Sequence, residues 1–593
     1  MRTFLSSRLA ILWCGMFATF MYFVVTWSIF TTFRGMSDWI LYPVNLLAAT
    51  ILVLPFFITR RVWIQLIVMV VVQGVLISNL MYCRTYFTAI PLDSYMLASN
   101  LADFTASVTD SLRWSDIGFA LITLVTAWLA YRCRQRRHTP QEPVIYLGTL
   151  CSLIVVTFAG LWLKGGFVKE YDRLSQSCYH STTGAPIYTV AGHLIYQALS
   201  SHANLDDRLR ADIAEWQEAK EELMPYTPLP DSVTTRSSLV LILCESLESW
   251  VMEKDIDGKP ITPYLNSLIA DSTSFYAPNV LTQVSSGRSI DGQLLINCGL
   301  LPMLSSVYSM KYPATHYPSL NKAMKEKYGT KSYLFTCDKP ITWNQEVISR
   351  SFGCDSLLDR SGWVIDELVG NPPKLSDRSF MRQSTERLRN SDIWREGDSR
   401  YLTFVTYSGH NPFILPDELK DPSFSFDEKA YPPRMVDYVT MAHYTDESLK
   451  TLVDYIRSRD DYRNTLVVIT GDHEGLAGER KEIRRDPRAA QIVSPGQFTP
   501  LIILNSPVPG RYDGVLGQVD IYSTLLNLMG LDGYYWKGMG NSVFSPCHQP
   551  FAISSMTYEI VGDTTRTSTD ILNLTRNART ISDALITFDL FPR

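Results

Sequence analysis

The chain has 593 residues, more than one hydrophobic core usually organises, so at least two structural units are expected. Its 54 Lys and Arg against 59 Asp and Glu leave a net charge of −5, too small a surplus to mark a strongly acidic or basic partner. No basic tract of the size nucleic acid requires is present, so nucleic-acid binding is set aside.

Residues 1–165 are dominated by long apolar runs, about 9–33, 39–59, 62–82, 116–131 and 144–163. Most approach the roughly 20 residues needed to cross a bilayer, which predicts five transmembrane helices. Arg2 and Arg8 precede the first run, Arg60 and Arg61 join the second to the third, and Arg132, Arg134, Arg136 and Arg137 follow the fourth. Five spans put all three basic sites on one side. The excess of basic residues in cytoplasmic loops then places the N-terminus inside and everything after 165 outside. The first run is too long, and lacks the small-residue site, for a cleaved signal peptide. The aromatic stretch from Cys83 to Leu92 suits the outer membrane interface.

Residues 166–235 read as a connecting helix, with charged and apolar residues mixed from Leu205 to Leu223, and a stiff linker holding Pro225, Pro228 and Pro230. From 236 to 593 short runs of Val, Ile, Leu and Phe alternate with amphipathic stretches, predicting an α/β domain. Strands are expected over 238–244, 332–336, 401–406, 464–470 and 500–504. Their nearly continuous apolar character suits a mostly parallel sheet covered on both faces.

Open α/β sheets bind ligands beyond the carboxyl ends of their strands, and the chemistry-bearing residues collect there. Glu245 and Ser246 follow the first strand, Asp472, His473 and Glu474 the fourth, and His410 and Asn411 the third. Asp338, Trp343 and Asn344 follow the second. Glu245, Asp472 and His473 form a candidate set for Zn²⁺, Mn²⁺ or Mg²⁺, two hard carboxylates and an imidazole. Singly each reads equally as a cap or surface group. The run Ser285-Ser286-Gly287-Arg288-Ser289-Ile290-Asp291-Gly292-Gln293 opens a helix and offers Ser289 among free backbone N–H groups, where a plain helix cap is the alternative. A cation beside Ser289 would make its hydroxyl a nucleophile toward phosphorus, giving a phospho-seryl intermediate. His410 could bind a phosphate oxygen or protonate a leaving group, or be a structural loop histidine.

These motifs together resemble the lipoteichoic acid synthase family, which includes phosphoglycerol transferases, within the alkaline phosphatase and sulfatase superfamily. The matching stretches are Cys244-Glu245-Ser246-Leu247-Glu248, Gly258 to Asn266, Gly287-Arg288-Ser289-Ile290-Asp291, Thr470-Gly471-Asp472-His473 and Gln518 to Leu526. The resemblance implies a five-helix membrane region followed by an extracytoplasmic sulfatase-like α/β domain, in a multi-pass protein of the bacterial cytoplasmic (inner) membrane. It also implies that Glu245, Ser289, Asp472 and His473 hold one divalent ion, Mn²⁺ ahead of Zn²⁺ or Mg²⁺, with Ser289 as nucleophile. His410, Trp343, Arg288 and Asn344 would then contact substrate. The donor would be a membrane phospholipid such as phosphatidylglycerol and the acceptor an envelope glycan or lipid. Two positions depart from the pattern: the nucleophile is Ser where the synthases usually have Thr, and Gln345 stands where they have Arg. The second makes a phosphoethanolamine transferase conceivable.

Six cysteines fall outside the membrane by this topology, and Cys337 with Cys354 is the first pair to test for a disulfide. Cys244 and Cys298, with apolar flanks, read as buried hydrophobes. A sulfatase would carry Pro and Arg at fixed spacing after the nucleophile, whereas Ile290, Asp291, Gly292 and Gln293 follow Ser289. A hydrolytic phosphodiesterase stays open. A non-catalytic sensor should have lost a metal ligand or the nucleophile, and this chain keeps them all.

Overall fold

The computed structural model describes residues 8–30, 39–54, 61–86, 90, 112–133, 142–163, 165–166, 205–304, 306–370 and 373–592. They form two compact units, one up to residue 166 and the other essentially from 205 onward.

The first unit is helical: α1 (Arg8–Phe30), α2 (Leu41–Val53), α3 (Val62–Tyr86), α4 (Ile117–Arg132) and α5 (Glu142–Leu163). Four stretches, Arg8–Trp27, Val62–Met81, Trp114–Arg132 and Glu142–Leu163, are helical, long and apolar enough to cross a bilayer, while α2 is shorter. Leu124, Trp128, Val155 and Trp162 are exposed on α4 and α5, as a lipid-facing surface requires. Inside the unit, Gln73 donates to Thr19 Oγ1 (3.0 Å) and accepts from Thr123 Oγ1 (2.7 Å), tying three helices together. Of the basic residues used to orient the chain, Arg2, Arg60, Arg134, Arg136 and Arg137 lie outside the described residues, as does half of Cys83 to Leu92.

The second unit is built on a nine-stranded sheet. Its strands are β1 (Ser238–Cys244), β2 (Phe275–Leu281), β3 (Lys331–Thr336), β4 (Ser356–Leu358), β5 (Arg400–Val405), β6 (Thr465–Gly471), β7 (Phe498–Leu504), β8 (Gly510–Arg511) and β9 (Leu516–Gly517). The order is β8-β2-β7-β6-β1-β5-β3-β4, with β9 also on β2. All neighbours are parallel except that β7 runs against both β6 and β2. The expected mostly parallel sheet is therefore present. The apolar runs of β1 and β6 are buried throughout because the pleat sends alternate residues into two cores. Val240 and Ile242 enter the core that holds Met435, Val439 and Leu452 of α8, which is the helix Pro433–Arg457. Leu239 and Leu241 enter the core that holds Ile521 and Leu525 of α9 (Gln518–Leu528).

Strand β2 had no place among the expected strands. It contains Pro278, which cannot donate to a ladder, and the sheet accommodates it where the register with β7 shifts, between Thr499 and Leu501. Helix α6 (Asp207–Leu223) begins with the Asp206 carboxylate accepting from Leu209 N at 2.8 Å. It packs on the last helix, α10 (Thr569–Thr587), with Trp216 Nε1 donating to Leu574 O (2.9 Å). Cys337 and Cys354 are both free. The parallel β3–β4 crossover explains this: Cys337 follows the carboxyl end of β3, whereas Cys354 precedes β4 near Ser332, at the amino end. Five residues of strand, about 16 Å, part the two. Cys244 and Cys298 are buried, as their flanks implied.

Candidate active site

Strands β1 and β6 are parallel with Cys244 opposite Gly471, so Glu245 and Asp472 leave the sheet side by side. Asp472 N donates to Cys244 O (3.1 Å), and Glu245 N donates to Thr406 Oγ1 (2.9 Å) just beyond β5. Gly409 in the following loop presses on Glu245: a Cβ there would sit 2.1 Å from the Glu245 carbonyl oxygen. Three neighbouring strand ends thus fix one carboxylate.

Helix α7 (Ser289–Cys298) brings Ser289 to this edge. Its approach depends on Gly292, whose Cβ, if present, would meet the Asp472 carbonyl oxygen at 2.8 Å. The loop into α7 is pinned by Asp291, whose Oδ2 accepts from Ser285 N and Gly287 N, both at 2.9 Å. Arg288 turns the chain with φ 49°, so that Ser289 starts the helix with its hydroxyl toward the sheet. Ser289 Oγ donates to Glu245 Oε2 (3.1 Å) and lies 3.2 Å from His473 Nε2. His473 Nδ1 lies 2.9 Å from Glu474 O and 3.1 Å from Arg288 Nη2. Its Nε2 faces Ser289 and, at 3.3 Å, Glu245 Oε1, carrying a proton while the imidazole is charged and free to act as a ligand once a cation replaces that proton.

Asp472 has one oxygen engaged and one not. Oδ1 accepts from Ser246 N and His473 N, both at 2.8 Å, while the buried Oδ2 has no hydrogen-bond partner. Ligand atoms of Glu245, Asp472 and His473 all lie within 4.8 Å of one another. Burial and the Glu245 charge push Asp472 up to about 7. Burial works against a charged His473, but Asp472 first and Glu245 with it raise the imidazole to about 9. Burial would also raise Glu245, yet His473 holds it well below the usual carboxylate range. Two buried carboxylates thus compete for one proton-borne positive charge, and the residues present fit a divalent cation, whose charge would replace the proton.

The other expected residues are placed differently. Arg288 is buried, donating from Nη1 to Glu474 Oε1 (2.5 Å) and from Nη2 to Glu474 O (2.9 Å). It therefore braces the carbonyl that orients His473. Asn344 Nδ2 donates to Ser309 O (3.0 Å), and Trp343 is partly buried with φ 52°. Gln345 exchanges hydrogen bonds of 2.9 Å with Gln293 on α7, so its amide is spent on the helix that carries Ser289. His410 Nδ1 donates to Asn411 O (2.7 Å), and the ring stacks on Tyr407 at 5.3 Å. Burial lowers its pKa, Glu245 opposing, and Lys374 adds to the lowering. Lys374 pairs with Asp338 and stands over the Tyr407 ring at 4.1 Å. Sequence reasoning missed Lys374 and Thr406, which belong to no motif. Glu474 sat within a noted run but was given no role.

A serine at a helix start, facing two carboxylates and an imidazole across the carboxyl edge of a mostly parallel sheet, defines an α/β enzyme of the alkaline phosphatase and sulfatase class. Comparison with known proteins narrows this. Residues 237–531 match the Sulfatase family model and residues 1–179 match that of the lipoteichoic acid synthase N-terminal domain. A lipoteichoic acid synthase of Staphylococcus aureus (strain USA300) is 24% identical over 568 residues, covering 90% of this chain and 85% of that one. The lipoteichoic acid synthase-like YvgJ of Bacillus subtilis (strain 168) is 24% identical over 507 residues, 82% of this chain and 79% of the relative. The crystal structure of the lipoteichoic acid synthase LtaP from Listeria monocytogenes superposes with a TM-score of 0.51 at 16% identity, covering 62% of this chain and 98% of that one. The chain belongs to the lipoteichoic acid synthase family, and it is a membrane phosphotransferase.

Proposed function

We propose that the enzyme transfers glycerol phosphate from phosphatidylglycerol, through phospho-Ser289, to a glycan or lipid acceptor of the cell envelope. The observation that carries this reading is the buried, unpartnered Asp472 Oδ2 beside a serine hydroxyl already held by Glu245 and His473. Glu245, Ser289, Asp472 and His473 would hold the divalent ion, Mn²⁺ in our reading. When bound, it lowers the pKa of the serine hydroxyl and neutralises phosphoryl charge.

The residues of the chain do the rest. Ser289 Oγ forms the bond to phosphorus while the bond to the diacylglycerol oxygen breaks, and the serine proton ends on that oxygen. In the second half an acceptor hydroxyl attacks phosphoserine, and its proton returns to Ser289. His410 passes these protons: with Nδ1 fixed on Asn411 O and its pKa lowered by burial, it presents a neutral Nε2. Arg288 and Glu474 hold His473, and Trp343 and Asn344 border the head-group pocket. Helices α1 to α5 all span the membrane, α2 included, with the N-terminus inside and the catalytic unit outside. Held there, it meets a donor that cannot leave the bilayer at high effective concentration.

A second reading, phosphoethanolamine transfer, is favoured by Gln345, whose amide is spent on Gln293 where an Arg would add positive charge. Both readings are tested by incubating the purified protein with labelled phosphatidylglycerol or phosphatidylethanolamine and Mn²⁺, beside a Ser289→Ala variant. Diacylglycerol release from phosphatidylglycerol by the wild type alone is expected. Release from phosphatidylethanolamine only would transfer the reading to the second head group, and equal release by both proteins would remove Ser289 as nucleophile.

A further inference from the structure

A cavity of about 60 Å³ lies among α6, α10 and the hairpin of β10 (Phe551–Ile553) and β11 (Ile560–Gly562). None of its lining residues belongs to the Ser289 site. It has room for about four water-sized groups. Trp216, Met224 and Leu574 supply an apolar wall, and two polar atoms face the space without partners. His548 is 4% exposed at its side chain, its Nδ1 lies 3.1 Å from Tyr512 OH, and its Nε2 has no hydrogen bond. The nearest acceptor, Asp520 Oδ2, is 3.6 Å away, too far to bond. Ser555 Oγ is likewise buried and unpartnered.

The donors and acceptors here do not balance. Both Asp520 oxygens are engaged, Oδ2 by Gly517 N and Oδ1 by Asn541 N, each at 2.8 Å. Arg579, at the wall, is spent on backbone carbonyls, Tyr558 OH and Ser285 Oγ. The groups left over can all donate: Arg576, the Ser555 hydroxyl, and His548 Nε2 when Nδ1 accepts from Tyr512 OH, with Lys220 one turn from both Trp216 and Met224 along the chain. Neither Lys220 nor Arg576 forms an ion pair among the described residues. Burial pushes Lys220 down to about 8 even with Asp520 and Glu221 acting to raise it, so those two carboxylates offset its desolvation only in part.

Three unspent groups line a space of this size, Arg576 cationic among them, and the Lys220 ammonium stands one helical turn from two further lining residues; together they suit a compact ligand made of acceptors. We propose that this cavity is a second binding site, for a small phosphate-bearing anion, held by His548 and Ser555 inside and by Lys220 and Arg576 at its mouth. Hydrogen bonds link the site to the catalytic centre. Arg579 holds Ser285 at 3.0 Å, and Gln283 reaches Asp472 through Gln518, whose Nε2 donates to Asp472 O (2.8 Å). An occupant would therefore bear on the loop leading to Ser289.

The test is calorimetric titration of the full chain in detergent, carrying Ser289→Ala and freed of metal by EDTA so that the catalytic centre holds no anion. Inorganic phosphate, glycerol 3-phosphate and glycerol are titrated in turn. Saturable binding of one ion per chain is expected for phosphate or glycerol phosphate and not for glycerol. Lys220→Met and His548→Gln should each weaken it at least about tenfold. The tighter of the two phosphates identifies the source, free phosphate or a phosphomonoester. No saturable binding would mean that the cavity holds only water, and equal affinity in both variants would place the anion elsewhere; either result overturns the proposal. Should His548→Gln fail to fold, Lys220→Met, at the partly exposed mouth, still decides.

Discussion

Replacing Arg288 by Met tests whether the buried pair behind His473 is what orients the site. The Arg288 and Glu474 side chains are 7% and 1% exposed and meet at 2.5 Å. Glu474 Oε2 already lacks a partner, so the substitution strands a whole carboxylate in the interior. Breaking such a pair from one side costs about 3–5 kcal/mol. For a unit of this size that should lower the melting temperature by roughly 4–6 °C. Arg288→Met/Glu474→Gln removes both charges and should recover most of the loss, because two neutral groups carry little desolvation penalty. Activity should fall in both variants, since the Glu474 carbonyl that anchors His473 Nδ1 loses its second donor. Differential scanning calorimetry of the three proteins, with diacylglycerol release on the same samples, measures the effect. A single variant that melts with the wild type, or a double variant no better than the single, would refute the reasoning.

Metal affinity should depend steeply on pH. Without metal, Asp472 sits at about 7 and His473 at about 9, and both must be deprotonated to act as ligands. Binding therefore expels one proton between about pH 7 and 9 and two below 7, so affinity rises with pH, near tenfold per unit in the upper range and faster below it. Mn²⁺ titrations that gave one affinity from pH 6 to 9 would contradict this. Gly409→Ala places a Cβ 2.1 Å from the Glu245 carbonyl oxygen, and since backbone cannot yield cheaply it should cost about 1–3 kcal/mol and displace the Glu245 carboxylate. Thermal unfolding and turnover are the readouts, and a fully active, equally stable variant would show that the loop is free to move.

The sequence by itself determined the residue types of the site and the edge of the sheet on which they fall. Glu245 and Asp472 each end an unbroken apolar run, and such runs are buried parallel strands whose carboxyl ends carry function. Ser289 was legible because small residues lead into an apolar helix. Those are local signals, written in consecutive residues. Tertiary structure alone decided what depends on direction and on distant partners. The pairing of Cys244 with Gly471 aligns two carboxylates far apart in the chain. Arg288 could point to substrate or inward, and Glu474 from another strand end drew it inward. Cys337 and Cys354 are near in sequence, yet a parallel crossover carries them to opposite ends of the sheet. Helix α6 reads as a spacer until α10 covers Trp216. A side chain's orientation, and the space left between elements, are set by which neighbours pack against it, and that information is spread over the whole chain.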